Sequence, residues 1–279
     1  MEPTGGRRIW RVSERGVERA MVALPGEAPL AIEVDGREVA VLMATPGAEK
    51  ELALGYCLSE GWIRSLSEVL LVHHCGSGED EDPLAPAPGA APRGLGRRVR
   101  VMLTGEAQRR LPAGQALRWV FSGCGGVDAV SLGETLRLSD REVRVAPQVL
   151  WGLVPAMARV QSGYRASGGM HAAGLFDAEG QPLAICEDVG RHNAADKAMG
   201  TALLQGRLAR AAILAATGRA SSDIVAKAAR AAIPIVASFS SSTSLAIELA
   251  EAAGVTLIGY LRRHRFTVYT HPQRLAIQG

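Results

Sequence analysis

Residues 209–261 read ARAAILAATGRASSDIVAKAARAAIPIVASFSSSTSLAIELAEAAGVTLIGYL. Three short apolar runs, 209–217, 233–239 and 255–261, are the right length for buried strands. Between them, 221–232 and 242–254 place apolar residues at helical spacing. Ser221, Ser222 and Asp223 open the first helix with capping oxygens, and Gly254 ends the second. Strand–helix repetition of this kind favours parallel strands covered by crossover helices. Working outward, residues 147–162 read as an amphipathic helix, with Pro155 as a kink or break. Residues 167–190 hold two strand-like runs joined at Asp177–Gly180, residues 190–206 a helix, and 265–272 a last short strand. The expected architecture for 147–279 is therefore an α/β domain.

The earlier half is different. APLAIEVDGREVAVLMATPG (28–47) alternates around Asp35–Gly36, a hairpin signal, and Ala48–Ile63 has helical spacing. Strands are expected near SLSEVLLVHHCG (65–76) and RRVRVMLTG (97–105). His73 and His74 are adjacent on a strand and point to opposite faces, so they do not share a metal. Residues 76–96, acidic and then rich in Pro, Ala and Gly, read as a flexible loop, and the arginine-rich residues 1–20 as a flexible terminus without regular structure. We expect a smaller β-rich domain over 21–140 that carries the 76–96 loop and a cysteine loop at 121–129.

The chain has 279 residues, 47% of them hydrophobic and 21% charged, which suits a globular protein with a sizeable core. A net charge of +3 does not mark a nucleic-acid binder. No apolar run is long enough to span a bilayer, and no secretory signal is visible. Four dispersed cysteines, Cys57, Cys75, Cys124 and Cys186, form no C-x-x-C pair and no metal-ligand spacing. These features lead us to expect a cytoplasmic protein with reduced thiols, no bound metal, no nucleic-acid partner and no membrane span.

In open α/β sheets, ligands bind beyond the carboxyl ends of the strands. Three strand-to-helix junctions here are unusually polar. EDVGRHNAADK (187–197) offers Arg191, His192, Asn193 and Lys197. TGRASSD (217–223) offers Arg219 and Ser221, and SFSSSTS (238–244) offers Ser240 and Thr243. Helix N-termini and arginines together suit a phosphate-bearing ligand. Ordinary N-capping would explain the serines alone. A basic segment, GYLRRHRFTVYTHPQR (259–274), interleaves arginines with aromatic residues on which a nucleotide could stack. His171 follows two glycines at a strand start, which allows close approach of a ligand. Cys124 lies in FSGCGGVDA (121–129), where the glycines permit a nest of N–H groups around the sulfur or the docking of a second protein. No partner histidine or resolving cysteine is near, so a carrier thiol is the reading that remains.

GYCLSEGWI, FSGCGG, GGMHAAGLFD, EDVGRHNAADKAMG, the block from TGRASSD to GYLR, and RFTVYTHPQRL resemble the FdhD family of formate dehydrogenase accessory sulfurtransferases, from about residue 30 to the C-terminus. The resemblance implies a cytidine-deaminase-like mixed sheet covered by helices. It also implies a homodimer that accepts sulfane sulfur from a cysteine desulfurase as a persulfide. The sulfur then goes to the molybdenum cofactor, bis-molybdopterin guanine dinucleotide, for formate dehydrogenase; guanine nucleotides such as GDP are expected to mimic that ligand. By this resemblance the persulfide cysteine maps onto Cys124. The family's cofactor-binding segment maps onto Tyr260, Leu261, Arg262, Arg263, His264 and Arg265, and the polar junctions and His171 are expected to hold the rest of the ligand. Many members carry C-x-x-C in the loop; here the second position is Val127, which implies a single-thiol carrier. A zinc deaminase would need H-x-E and P-C-x-x-C; His171–Ala172–Ala173 lacks the glutamate and no P-C-x-x-C exists. A non-catalytic cofactor-binding chaperone, with Cys124 incidental, is the alternative.

Overall fold

A computed structural model describes residues 4–75, 97–112, 118–120, 136 and 142–277. Its first element departs from the sequence reading. Thr4–Ser13 (β1) and Gly16–Pro25 (β2) form an antiparallel ribbon paired from Thr4↔Pro25 to Ser13↔Gly16. Arginines fall on both faces of this ribbon, Arg7 and Arg11 on one and Arg8 and Arg19 on the other, so no clean alternation of polar and apolar residues betrays it.

Ala28–Val34 (β3) and Arg37–Ala44 (β4) follow as the expected hairpin. Asp35 (φ 49°) and Gly36 (φ 77°) both take the left-handed conformation that a tight two-residue turn demands. Then come Glu49–Ser59 (α1), Val69–Cys75 (β5), Arg98–Leu103 (β6), the single turn Gly105–Gln108 (α2) and Arg118–Val120 (β7). The five strands β3–β7 make one sheet in the order β5-β6-β3-β4-β7. His73 pairs with Arg100 and His74 with Val99, on opposite faces of β5.

The second half supplies Pro147–Val160 (α3), Ser162–Ser167 (α4), His171–Phe176 (β8), Pro182–Asp188 (β9), Arg191–Leu204 (α5), Ile213–Ala216 (β10), Ser222–Arg230 (α6), Ile235–Ser238 (β11), Ser244–Ala252 (α7), Thr256–Arg262 (β12) and Arg265–Val268 (β13). Pro155 lies inside α3 without ending it, in a helix held to the core by Leu150, Leu153 and Met157. The six strands order as β13-β12-β11-β10-β8-β9. β10, β11 and β12 are parallel, as the 209–261 pattern predicts, and β8 and β13 run against them. The fold is mixed α/β.

Two apolar clusters hold these layers. One covers the face of the six-stranded sheet under α3, with Met157, Ile213, Ile235 and Ile258. The larger lies between the two sheets and joins Leu30, Ile32 and Val99 of the first to Leu175, Leu214 and Val236 of the second through α1, α5 and α6. α1 and α5 cross at two glycines. A Cβ on Gly55 would sit 1.9 Å from the Asp196 carbonyl oxygen, and one on Gly200 would sit 1.8 Å from that of Glu51. Only glycine permits the two backbones to come this close.

Candidate functional site

The strand directions bring every polar junction to one sheet edge. β9, β10, β11 and β12 end there and β8 begins there. Thr217, just past β10, receives the Ala172 amide at 3.0 Å and lies 3.4 Å from His171 Nδ1. A Cβ on Gly218 would sit 2.9 Å from Arg191 Cδ and 3.5 Å from His171 Cε1, so Arg191 and His171 close over a bare glycine. His192 Nε2 faces Ser221 Oγ at 3.4 Å and Asp223 Oδ2 at 3.8 Å. Burial pushes His192 down to about 3, aided by Lys227, Arg191 and His171, and burial followed by Arg191 lowers His171. Both rings are therefore neutral at physiological pH, and positive charge at this edge comes from arginine.

The third junction is tied to its neighbours. Ser238 Oγ donates to the Gly218 carbonyl at 2.7 Å and accepts the Ser240 amide at 2.9 Å. The Ser240 carbonyl then accepts the Tyr260 amide at 2.8 Å. Thr243 caps α7 by accepting the Ala246 amide at 3.3 Å. Tyr260 is half exposed and left-handed (φ 50°), in a stretch where the β12–β13 register shifts. Leu261 is buried, and Arg262 donates to the Phe239 and Leu261 carbonyls. Tyr260, Arg262, Arg265, Phe266 and Thr267 line a groove of about 280 Å³. His264 meets Trp151 of α3 edge-on at 6.0 Å between ring centroids.

A model of the FdhD/NarQ family matches residues 25–276. The chain belongs to the FdhD/NarQ family. It is 40% identical over 95% of its length to a protein of Anaeromyxobacter sp. strain K, 91% of which is covered. It is 37% identical over 98% to one of Nocardia farcinica, 95% covered, and 35% identical over 96% to one of Thermoplasma acidophilum, 92% covered. All three are named sulfur carrier protein FdhD. The fold is that of a crystal structure from Desulfotalea psychrophila assigned as a formate dehydrogenase accessory protein. The TM-score is 0.74 at 24% identity, over 98% of this chain and 99% of that one.

Within this FdhD/NarQ fold, the residues singled out from sequence divide. His171, Arg191, His192, Arg219, Ser221, Ser240 and Thr243 reach the edge, as does the 260–265 segment. Asn193 and Lys197 give their polar atoms to the protein itself. Asn193 donates to the Met43 carbonyl at 2.8 Å and to Asp188 at 3.1 Å. Lys197 is buried, 2.7 Å from both Asp188 Oδ2 and the Thr45 carbonyl. They lock α5 to the end of β4, a role invisible without knowing which strand lies beside the helix. Cys124, the 121–129 loop and residues 76–96 lie outside the described residues. Among the described cysteines, Cys57 is pushed up by burial and nearby carboxylates, and Cys186 is pushed up by burial. Sequence reasoning missed Trp151 and Ser238. Trp151 carried no signal, being remote from the basic segment. Ser238 had one, since a hydroxyl closing an otherwise apolar strand marks a junction.

Among the described residues, no helix is long and apolar enough to cross a membrane, and no group of three histidine, cysteine or acidic side chains is placed to hold a metal ion.

Proposed function

We propose that this chain is a cytoplasmic sulfur carrier serving formate dehydrogenase maturation. Cys124 takes sulfane sulfur from a cysteine desulfurase and passes it to bis-molybdopterin guanine dinucleotide held along the polar edge. The observation that carries the reading is the gathering of three polar junctions and the basic 260–265 segment on one sheet edge in a chain whose curated relatives are named sulfur carriers. Phosphates are met by Arg191, Arg219 and Arg265, with the N–H groups of the α6 N-terminus, which no side chain caps, beside them. Tyr260 offers a ring face to guanine. His171, held neutral, orients the ligand through a hydrogen bond without adding charge, and His192, buried behind Ser221, positions that hydroxyl. Two such edges in a homodimer match the two guanine nucleotide ends of one cofactor.

In the loading step, the Cys124 thiolate attacks the outer sulfur of the donor's persulfide. The donor's S–S bond breaks, the donor cysteine leaves as a thiolate, and Cys124 becomes the persulfide. Cys57 and Cys186, held as thiols, are poor competitors.

The test is intact-mass spectrometry after incubation with a cysteine desulfurase and cysteine. The unaltered chain should gain one sulfur atom and the Cys124→Ala variant none. Equal gain by the variant ends the assignment to Cys124. No gain by either, with GDP still bound, leaves the cofactor-binding chaperone.

A further inference from the structure

The N-terminal ribbon has no place in the chemistry above. It lies almost wholly ahead of the span that the family model matches, which begins at Pro25, the last residue of β2. It joins neither large sheet. Yet it is ten residue pairs long, and a two-stranded ribbon on its own is marginal in water. One side is steadied by the body: α4 packs against β2 and β1, and Pro25 closes on Gly169, where a Cβ would lie 2.9 Å from its Cγ. The α4 end is pinned in turn by Glu187, which accepts the Gly163 and Tyr164 amides at 2.8 Å each. Gly169 is two residues before His171, so the ribbon is rooted beside the candidate site.

Its open face is apolar. Cross-strand pairs Arg8↔Met21, Trp10↔Arg19 and Val12↔Val17 lie on one side. Trp10 is 62% exposed, Val12 73%, Val17 63% and Met21 63%. Such a stripe of large apolar side chains in water marks a surface meant to be covered. The charge around it is one-sided: residues 4–25 hold five arginines and two glutamates, and one of those glutamates, Glu18, is paired with Arg11 on the opposite face.

We propose that this face docks a protein partner whose contact surface is acidic at its rim and apolar at its centre. Charge selects among the occupants. A second copy placed face to face by a two-fold axis would bring the Arg8 and Arg19 of both copies into a contact whose cross-strand pairs supply no carboxylate. A nucleic acid would want the Trp10 ring, but the Arg19 guanidinium already covers it at 4.6 Å, and Val12, Val17 and Met21 have nothing to offer phosphates. An acidic rim uses Arg8 and Arg19, and an apolar centre uses the rest. Four apolar side chains flanked by two arginines favour encounters steered by charge, which suits a carrier that must meet a donor or an acceptor for each sulfur. Rooted next to His171, the ribbon would hold that partner at the mouth of the edge.

The choice of probes rests on the proposed function: a cysteine desulfurase and a formate dehydrogenase apoenzyme from the same organism, each titrated separately onto the full chain. At least one should bind the unaltered chain. The R8E/R19E and V12T/M21T variants should each weaken that binding about tenfold or more, with a shallower salt dependence for the charge variant. R11Q, which removes a charge from the other face, should stay within about twofold. Hydrogen exchange on the unaltered chain gives a reading that needs no variant: amides of residues 4–25 should gain protection when the partner is bound. Binding that ignores both face variants, an equal loss in R11Q, or no added protection overturns the docking assignment while leaving the sulfur-carrier reading in place. Binding of neither protein overturns both.

Discussion

EDVGRHNAADK contributes to two regions with opposite fates. Asp188, Asn193, Asp196 and Lys197 turn inward. Asp188 is fully buried against Lys197, and Asp196 is buried against Lys227 at 2.8 Å, with the Ser59 hydroxyl donating to the same carboxylate. Arg191 and His192, on the same first turn of α5, reach the sheet edge. In the inner set every charge has a partner within the protein, as burial requires. At the edge, Arg191 and Arg219 stand beside imidazoles held neutral, an arrangement suited to an anion from outside. The contrast separates residues that hold the molecule together from residues held ready for a ligand, although one short stretch supplies both.

The sharpest way to break this division is at Asp196. Removing it by Asp196→Ala leaves the Lys227 ammonium buried alone and should cost about 3–5 kcal/mol in urea unfolding. The double change Asp196→Leu/Lys227→Met should recover much of that loss. If Asp196→Ala costs no more than a surface substitution, the inner set is not the lock described. Next in size is Gly200→Ala at the crossing of α1 and α5, where the added Cβ meets backbone; about 3 kcal/mol is expected, the upper end for overpacking. A loss below about 1 kcal/mol would mean that the helices slide apart freely.

A third prediction uses pH. The folded-state pKa of His192 lies near 3, below the ordinary histidine value of 6.5. Below about pH 6.5 the unfolded chain binds a proton that the folded chain refuses. Stability then falls by about 1.4 kcal/mol per pH unit, or about 2 kcal/mol between pH 6.5 and 5. Above pH 6.5 both states are neutral and the effect is absent. His192→Gln should lack this part of the slope; equal slopes would show that the ring is not buried neutral. The smallest effect concerns the edge. Arg262→Ala/Arg265→Ala should weaken GDP binding about tenfold at low salt, roughly 1.4 kcal/mol, and by less as salt rises. With both histidines neutral and the terminal phosphate fully ionised, affinity should stay flat from pH 7.5 to 8.5. Unchanged affinity in the variant would remove the 260–265 segment from the ligand's path.

Much of the second half was legible because apolar periodicity there switches cleanly between two and three to four residues, and because β10, β11 and β12 are short runs that stay apolar until their ends. Their polar ends were legible for the same reason, as hydroxyls and arginines stand out where an apolar run stops. The ribbon of β1 and β2 was not, since its apolar face is the exposed one and arginines occupy both sides. Nor was the division within EDVGRHNAADK. Which side of α5 turns inward is decided by α1 and β4, about 140 to 150 residues earlier in the chain, where Met43, Thr45 and Gly55 wait for it. Spacing along a helix reports a face; it does not report what that face will meet.

The glycine crossing of α1 and α5 also decides where this protein cannot be divided. Residues 147–277 hold a full six-stranded sheet and resemble a unit that would stand alone. Produced without the first half, however, α5 would present to water the bare backbone around Gly200, together with Asp196 stripped of the Ser59 hydroxyl and Asp188 stripped of the Thr45 amide. Two fragments broken between 141 and 147 should therefore be sticky and poorly soluble apart, yet reassociate when mixed. The polar edge would be rebuilt only in the rejoined pair, because α1 is what sets the roll of α5 and so the direction in which Arg191 points.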